Sequence, residues 1–480
     1  MENILSADVL LSYPEVDMAK AEQLLQMEIS RSGKKIVVLD DDPTGVQTVH
    51  DVSVYTDWTE NSIRQGFEEE NHLFYILTNS RGLTAEQTAK VHREIAAAVK
   101  KVSEETGKEY LIMSRSDSTL RGHYPLETLI LKEETEAYGD ICIDGEIICP
   151  FFKEGGRFTL NNTHFVKYGE ELIPAAQTEF AKDKTFGYTH SDICEYVEEK
   201  TNGVYKAEDV VCISLEDLRN MDLDKITGQL LAVKNFQKVV VNAIDDSDVK
   251  IMSIAVYRAM AAGKNFLFRT AAALVKEMGG ISSQPLLTRE KMIIKDTDHG
   301  GVVIVGSHTQ KTTQQLEELK KVEGIVSISF NSDLVLDEEA FRAETERTTG
   351  EIERIITSGK TAVVYTKRKL LVVEHDTKKE ALLRSVKISD AVQSLVGNLR
   401  VVPSFVIAKG GITSSDVGTK ALKVKRAVVM GQIRPGVPVW QTGEESRFPL
   451  TPYVIFPGNV GDVNTLREAV EILMNRKNKD

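Results

Sequence analysis

Short apolar runs rich in β-branched residues alternate along the chain with stretches of helical periodicity. In the first half the runs fall at 36–39, 52–55, 73–77, 110–113, 239–241 and 266–268. In the second half they fall at 302–305, 326–330, 362–365, 405–408, 427–430 and 453–456. Runs this short, unalternated and separated by helical segments, are the pattern of parallel strands buried on both faces. The spacing predicts a helix over 84–102 with Thr84 as its N-cap, and another over 312–321. Residues 1–32 show an amphipathic pattern (Ala19, Leu24, Leu25, Met27) that predicts an outer helix, and 151–188 read as a loop with scattered aromatics. The fold class expected is α/β, with two three-layer α/β/α domains built on mainly parallel sheets. A Gly/Ser-rich stretch, GGISSQ at 279–284, and a polar one, KDTDHGG at 295–301, place the boundary between them. The expected division is 1–33 as a helical extension, 34–285 as the first domain and 300–480 as the second.

Length agrees with this division, since 480 residues at roughly 100–200 per domain make two or three domains. With 59 Lys and Arg against 72 Asp and Glu, the net charge is −13, so no nucleic-acid footprint is expected. The four cysteines form no CxxC pair, which argues against a zinc or redox motif and for a reducing, cytoplasmic setting. No basic n-region precedes a long apolar run, so no signal peptide is expected. The longest apolar runs fall far short of the roughly 18 residues of a membrane span.

Candidate chemistry gathers where apolar runs end. The first is IVVLDDDPTG at 36–45, where a strand runs into Asp40, Asp41 and Asp42 and then a Pro-Thr-Gly turn. Ligands of open α/β sheets bind beyond the carboxyl ends of the strands. Three acids there need a cation, hydrogen bonds or a proton to relieve their repulsion. Such a set can hold Mg²⁺ or take a hydroxyl proton; a solvated acidic turn is the bland alternative. The second is SRSDSTLRG at 114–122, which offers Asp117, the hydroxyls of Ser116, Ser118 and Thr119, and the guanidiniums of Arg115 and Arg121. Arg81, in TNSRG at 78–82, adds a further anion clamp. In the second half three glycine turns follow strands: VVIVGSHTQKT at 302–312, FVIAKGGITSS at 405–415 and IFPGNVGD at 455–462. The first lacks the second glycine of a P-loop. Each turn is weak alone, but three in one domain point to a nucleotide site, with backbone N–H groups facing phosphate.

On these residues alone, Asp40-x-Asp42-x-Thr44 also fits the opening of haloacid-dehalogenase-like phosphatases, with Asp40 as nucleophile. In that reading LFYILTNS at 73–80 is the second motif and Asp245-Asp246-Ser247-Asp248 the later acidic one. It leaves 114–122 and the whole second half without a role. A non-catalytic two-domain binding protein is the third reading.

Asp41-Asp42-Pro43-Thr44-Gly45 resembles the DDxTG opening of the four-carbon acid sugar kinases, a family long labelled only as a domain of unknown function. Residues 115–122 resemble its K-x-D-S-T-L-R-G motif, with Arg115 in the lysine's place. Gly155-Gly156-Arg157 through Asp183 resembles its GR…E-T-x-x-A-x-D stretch. Gly306-Ser307, 410–414 and 457–461 resemble its three nucleotide loops. The resemblance runs in family order over roughly residues 34–470.

It implies ATP-dependent phosphorylation of threonate, erythronate or a 3-oxo-tetronate in carbohydrate-acid catabolism. The first domain would bind the acid sugar and the second ATP, with the active site in the interdomain cleft. It further implies Asp41, Asp42 and Asp117 as catalytic acids, with Asp42 toward Mg²⁺. Thr44, Gly45, Arg81, Ser118, Thr119, Arg121 and Arg157 are implied on the substrate. Ser307, Gly410, Gly411, Ile412, Thr413, Ser414 and Gly458 are implied on ATP. Departures from the family pattern are Ile412, where an acid is common and Asp416 is a substitute, and His123 in place of an asparagine. Partners are small molecules, with no nucleic acid and no membrane; a homodimer is the base-rate expectation.

Overall fold

The computed structural model describes residues 3–137, 141–295, 297–369, 371, 373, 376–458 and 460–475. Two units are distinct: residues 1–45 with 57–283, and 46–56 with 284–480.

In the first unit parallel strands lie in the order Val211–Ile213, Gln237–Val241, Gly145–Cys149, Phe266–Thr270, Tyr110–Arg115, Lys35–Asp40, Leu73–Leu77. Every residue of Lys35–Asp40, Leu73–Leu77, Gly145–Cys149 and Phe266–Thr270 is buried, so both sheet faces are covered. The helices form two packed groups. One is Glu60–Glu68, Ala85–Thr106 and Leu126–Ala137; the other is Met18–Ser32, Leu223–Ala232, Asp246–Ala261 and Ala272–Met278. Thr84 caps its helix as expected, in a capping box with Gln87. The register sets Asp40 opposite Arg115 and Arg115 opposite Thr270, which aligns the carboxyl ends of three strands.

Two expectations change here. Residues 1–32 are not one helix. Leu5–Ser6 is a strand and Ala7–Ser12 a 3-10 turn, and the helix Met18–Ser32 starts only where Asp17 caps it. That helix belongs to the first unit: Glu22 pairs with Lys250 at 2.6 Å and Glu28 with Arg258 at 3.0 Å. Residues 151–188 are not mainly loop. Strands Arg157–Leu160, Thr163–Tyr168 and Glu171–Pro174 join Leu5–Ser6 in an antiparallel sheet. Asn161 and Asn162, both at positive φ (46° and 66°), make its two-residue hairpin turn.

In the second unit the order is Val52–Tyr55, Arg426–Arg434, Val437–Thr442, Pro452–Phe456, Val406–Lys409, Val302–Val305, Thr361–Thr366, Ile325–Phe330. The last five are parallel and the first four antiparallel. Val52–Tyr55, placed by sequence in the first domain, pairs here with Arg426–Arg434, because its backbone groups find their partners on that strand. The expected helix 312–321 runs instead over Gln310–Leu319, because Thr309 rather than a later residue caps it. Val303, Val305, Leu316, Val363, Ile407, Val454, Phe456 and Leu466 are among its buried core.

Candidate functional site

The acids at the end of Lys35–Asp40 are held by arginines from neighbouring strand ends. Arg115 Nη1 lies 3.0 Å from Asp40 Oδ1 and 3.1 Å from Asp41 Oδ1. Arg81, in the short turn after Leu73–Leu77, reaches three acids. Its Nη2 is 3.0 Å from Asp42 Oδ2, its Nη1 3.3 Å from Asp117 Oδ1, and its Nε 3.1 Å from Asp41 Oδ2 but off the hydrogen-bond angle. Arg121 Nε donates to Asp117 Oδ2 at 2.8 Å, and Thr119 Oγ1 bonds the same oxygen. Four carboxylates therefore meet three guanidiniums in a site largely closed to water.

The environments separate the acids. Burial pushes Asp40 up to about 7 against the pull of Arg115, and Asp41 up to about 6 against Arg81 and Arg115. At Asp42 burial is outweighed by Arg81 and by hydrogen bonds from Thr44, which hold its carboxyl below the usual range. At Asp117 burial is outweighed by Arg121 and Arg81, which hold it far below. Asp41 Oδ2 keeps no hydrogen-bond partner, and a Cβ at Gly122 (φ +115°) would lie 3.6 Å from it. Gly122 therefore packs beside that buried oxygen without a side chain between them.

Several expected roles change. Asp40 is 1% exposed, locked by Arg115, and covered by Gly45, where any side chain would overlap its carboxylate. It cannot be presented to a phosphomonoester as a nucleophile. Asp245–Asp248 is no acidic motif but the capping box of Asp246–Ala261, with Asp248 also paired to Arg219 at 2.5 Å. Asp117 accepts from Arg121 and Thr119 and faces Arg81 at 3.3 Å. Arg81 has all three nitrogens facing acids of the cluster. Asp42 is not set in a cation cage: Oδ1 accepts from Thr44 N at 2.8 Å and Oδ2 pairs with Arg81. Among the described residues no group of three or more His, Cys, Asp or Glu is arranged to hold a metal.

Arg157 and Arg121 flank one ring, their guanidinium carbons 5.3 and 5.1 Å from the Phe180 centroid. Arg157 Nε has no hydrogen-bond partner. Arg121 also bonds Asp117 through Nε and Nη2 and faces Asp183 at 3.9 Å, whereas Arg157 has, among the described residues, only the Gly155 carbonyl as a hydrogen-bond partner. Ser118 and Thr119 sit in a braced loop: His164 Nε2 is 2.8 Å from the Ser118 carbonyl, and Tyr188 donates to that of Thr119 at 2.8 Å. His123 is 3.0 Å from the Leu83 carbonyl and edge-on to Phe186. Sequence reasoning passed over Arg269 and Glu127, which pack behind this loop. Arg269 donates to Ser116 Oγ (3.1 Å) and to the Arg121 carbonyl (3.0 Å), and Glu127 accepts from Ser80 (2.6 Å). A charged residue closing the apolar run 266–268 was the available signal for Arg269.

In the second unit the three glycine turns converge. Val305 pairs with Lys409 and Lys409 with Phe456, so the ends of three parallel strands are adjacent. A side chain at Gly306 would strike Thr413 Oγ1, and one at Gly410 (φ +119°) would come within 3.1 Å of Ser307 Cβ. Gly458 lies 4.0 Å from Ser307 Oγ by the same measure; its neighbour Asn459 is outside the described residues. Ser307 Oγ accepts from Thr312 at 3.0 Å, and its carbonyl accepts from Arg368 at 2.6 Å. Gly411 and Ile412 open a short helix, Gly411–Asp416, on which Ile412 is 74% exposed. Ser414 is turned inward, donating to the Ala408 carbonyl at 2.8 Å, so its hydroxyl is unavailable to a ligand. Asp416 binds Ser389 and Lys420 and does not replace an acid at 412. Lys409, also unforeseen, is fully buried and donates to the carbonyls of Pro457 (2.6 Å) and Gly458 (3.2 Å). Burial, with Lys311 adding to it, pushes its amine down to about 7.

Comparison with known proteins follows the same two halves. Residues 36–278 match the family model of a sugar-binding N-terminal domain, and 302–466 that of a nucleotide-binding C-terminal domain. No curated protein matches significantly. A Haemophilus influenzae protein of the DUF1537 family has a similar fold at 17% identity (TM-score 0.58), covering 91% of this chain and all of that one. So does a Salmonella typhimurium LT2 protein described as a putative tRNA synthase, at 16% identity (TM-score 0.63), covering 91% of this chain and 98% of that one. At such identities they speak for the fold alone. Matched in order by both domain models, the chain belongs to the four-carbon acid sugar kinase family.

Proposed function

We propose that this protein transfers the γ-phosphoryl group of ATP to a hydroxyl of a four-carbon acid sugar of the threonate, erythronate or 3-oxo-tetronate type. The observation that carries the reading is the arginine-bound acid cluster in the sugar-binding unit, in which one carboxylate oxygen, Asp41 Oδ2, accepts no hydrogen bond and burial raises that carboxyl to about 6. Phosphoryl transfer asks a protein mainly for positioning, charge neutralisation and a proton acceptor. Asp41 takes the hydroxyl proton through Oδ2, beside Gly122. Arg121 and Arg157 receive the sugar carboxylate, with Thr44, Gly45, Ser118 and Thr119 shaping the floor. Ser307, Gly410, Gly411, Ile412, Thr413 and Gly458 receive the nucleotide through backbone groups and close approach.

Because Thr44 and Arg81 already hold Asp42, Mg²⁺ is carried on the nucleotide phosphates as part of the MgATP substrate. There it neutralises charge on the transferred group. Nothing supports the phosphatase alternative, and the sealed Asp40 weighs against it.

The test is a coupled ADP-release assay with MgATP and a panel of four-carbon sugar acids, run beside phosphate release from generic phosphomonoesters. ADP release that depends on one acid sugar is the expected result. Phosphate release without ATP would overturn the reading.

A further inference from the structure

Two of the four cysteines lie side by side. Cys194 stands near the start of the helix Ile193–Lys200, and Cys212 on the edge strand Val211–Ile213. Their sulfurs are 3.5 Å apart across 18 positions of sequence. Both are free thiols, Cys194 buried and Cys212 partly exposed. The other two are set apart: Cys142 is exposed, and burial pushes the Cys149 thiol up to about 12.

We propose that Cys194 and Cys212 form a thiol–disulfide site whose co-substrate is a low-molecular-weight disulfide. A disulfide needs its sulfurs about 2.05 Å apart, so the observed pair must close by about 1.5 Å. An edge strand is the sheet element with fewest neighbours to resist such a shift. The hydrogen bond between the two sulfurs holds the Cys212 thiol below its ordinary value, which makes the more exposed sulfur the first nucleophile.

The Cys212 thiolate attacks one sulfur of the small disulfide. That S–S bond breaks, and one small thiolate leaves. Cys194 then gives up its proton, its sulfur attacks the Cys212 sulfur of the mixed disulfide, and the second small thiolate leaves. Two electrons and two protons pass from the protein to the small molecule, and no other oxidant is needed.

The tie would join elements that brace the loop carrying Asp117. The segment before Cys194 accepts the His164 backbone N–H at the Ser191 carbonyl, 2.8 Å away, and the His164 ring contacts the Ser118 carbonyl. Behind Cys212, Asn242 binds both the Ile213 carbonyl and Asn162, at 2.9 Å each. Closing a loop of this length restricts the unfolded chain.

The experiment treats the full chain with oxidised glutathione and then counts thiols after denaturation. Loss of two thiols from four is expected, with a mass loss of about 2 Da. A tryptic digest should then contain residues 185–200 joined to 207–219. The thermal midpoint should rise by about 5 °C on oxidation, a shift absent from Cys212→Ser. A persistent glutathione adduct, a dimer joined through Cys142, or retention of all four thiols would each overturn the site. An unchanged midpoint in a chain shown to carry the bond would overturn its stabilising effect. Cys142→Ser, which leaves the pair intact, should oxidise as the wild type does.

Discussion

Arg115 and Asp40 stand opposite one another on neighbouring parallel strands, and their side chains meet at 3.0 Å beneath the acidic turn. The same nitrogen serves Asp41 at 3.1 Å. Removing one member of a buried ion pair leaves an uncompensated charge, which costs about 3–5 kcal/mol. Arg115→Met should therefore lose stability on that scale in urea denaturation. Arg115→Lys, which keeps the charge but not the fork, should lose less. Equal stability of wild type and Arg115→Met would show that the acids rest on something else.

The raised acids make stability depend on pH. With folded values of about 7 for Asp40 and about 6 for Asp41 against an ordinary 3.8, the folded chain binds more protons than the unfolded one between those limits. Stability must then fall as pH rises through that window. The contribution of these two groups is fullest below 3.8 and is lost by about pH 7. Asp40→Asn cannot ionise, so the pH slope of its unfolding free energy between pH 5 and pH 7 should be shallower than that of the wild type. Parallel slopes would remove Asp40 as the source.

How much of this the sequence disclosed depends on the range of the interactions. Strands at 73–77 and 302–305 were legible to the residue, because a strand buried on both faces tends to be apolar throughout, and the strand at 52–55 was legible despite its buried Ser53. The hairpin around Asn161 and Asn162 was not. Its strands mix polar and apolar residues, and its pairing with Leu5–Ser6 spans well over a hundred residues. Asp41, Asp42 and Asp117 were legible as candidates from their motifs. Their division of labour was not, because it depends on Arg81 and Arg115 arriving from other strands. Lys409 stood in view beside Gly410-Gly411, but its carbonyl partners lie 48 and 49 positions away.

If Asp41 accepts the hydroxyl proton, activity carries its signature. Protonation below about 6 removes the acceptor, so kcat/KM for the acid sugar should decline as pH falls through that value. Asp41→Asn should lose that limb of the profile together with about 100-fold or more of turnover. Asp42→Asn should also lose most of its turnover, yet keep the limb and the folded circular dichroism spectrum. Near-normal turnover of both variants would end the assignment of the acid cluster to chemistry.

The second unit can be tested by binding alone. Gly411 begins the short helix beside Ser307, and its neighbour Gly410 needs a backbone conformation that side chains rarely adopt. Gly411→Trp places an indole where the nucleotide is proposed to sit. ATP affinity measured by calorimetry should weaken at least tenfold, or about 1.4 kcal/mol. Unchanged affinity would remove this loop from the site.

Lys409 supplies a finer test of the same loops, because it is fully buried and its amine donates to the carbonyls of Pro457 and Gly458. Lys409→Met keeps the stem over the Phe456 ring but deprives both buried carbonyls of their donor. That costs about 1–3 kcal/mol. The loop bearing Gly458 then loses its tether to the strand that bears Gly410. The expected outcome is a higher KM for ATP with the KM for the acid sugar unchanged, since the sugar-binding residues are on the other unit. An equal rise in both constants would mean that the substitution acts by loosening the fold as a whole. A change in neither would mean that the loop holds its position without the lysine.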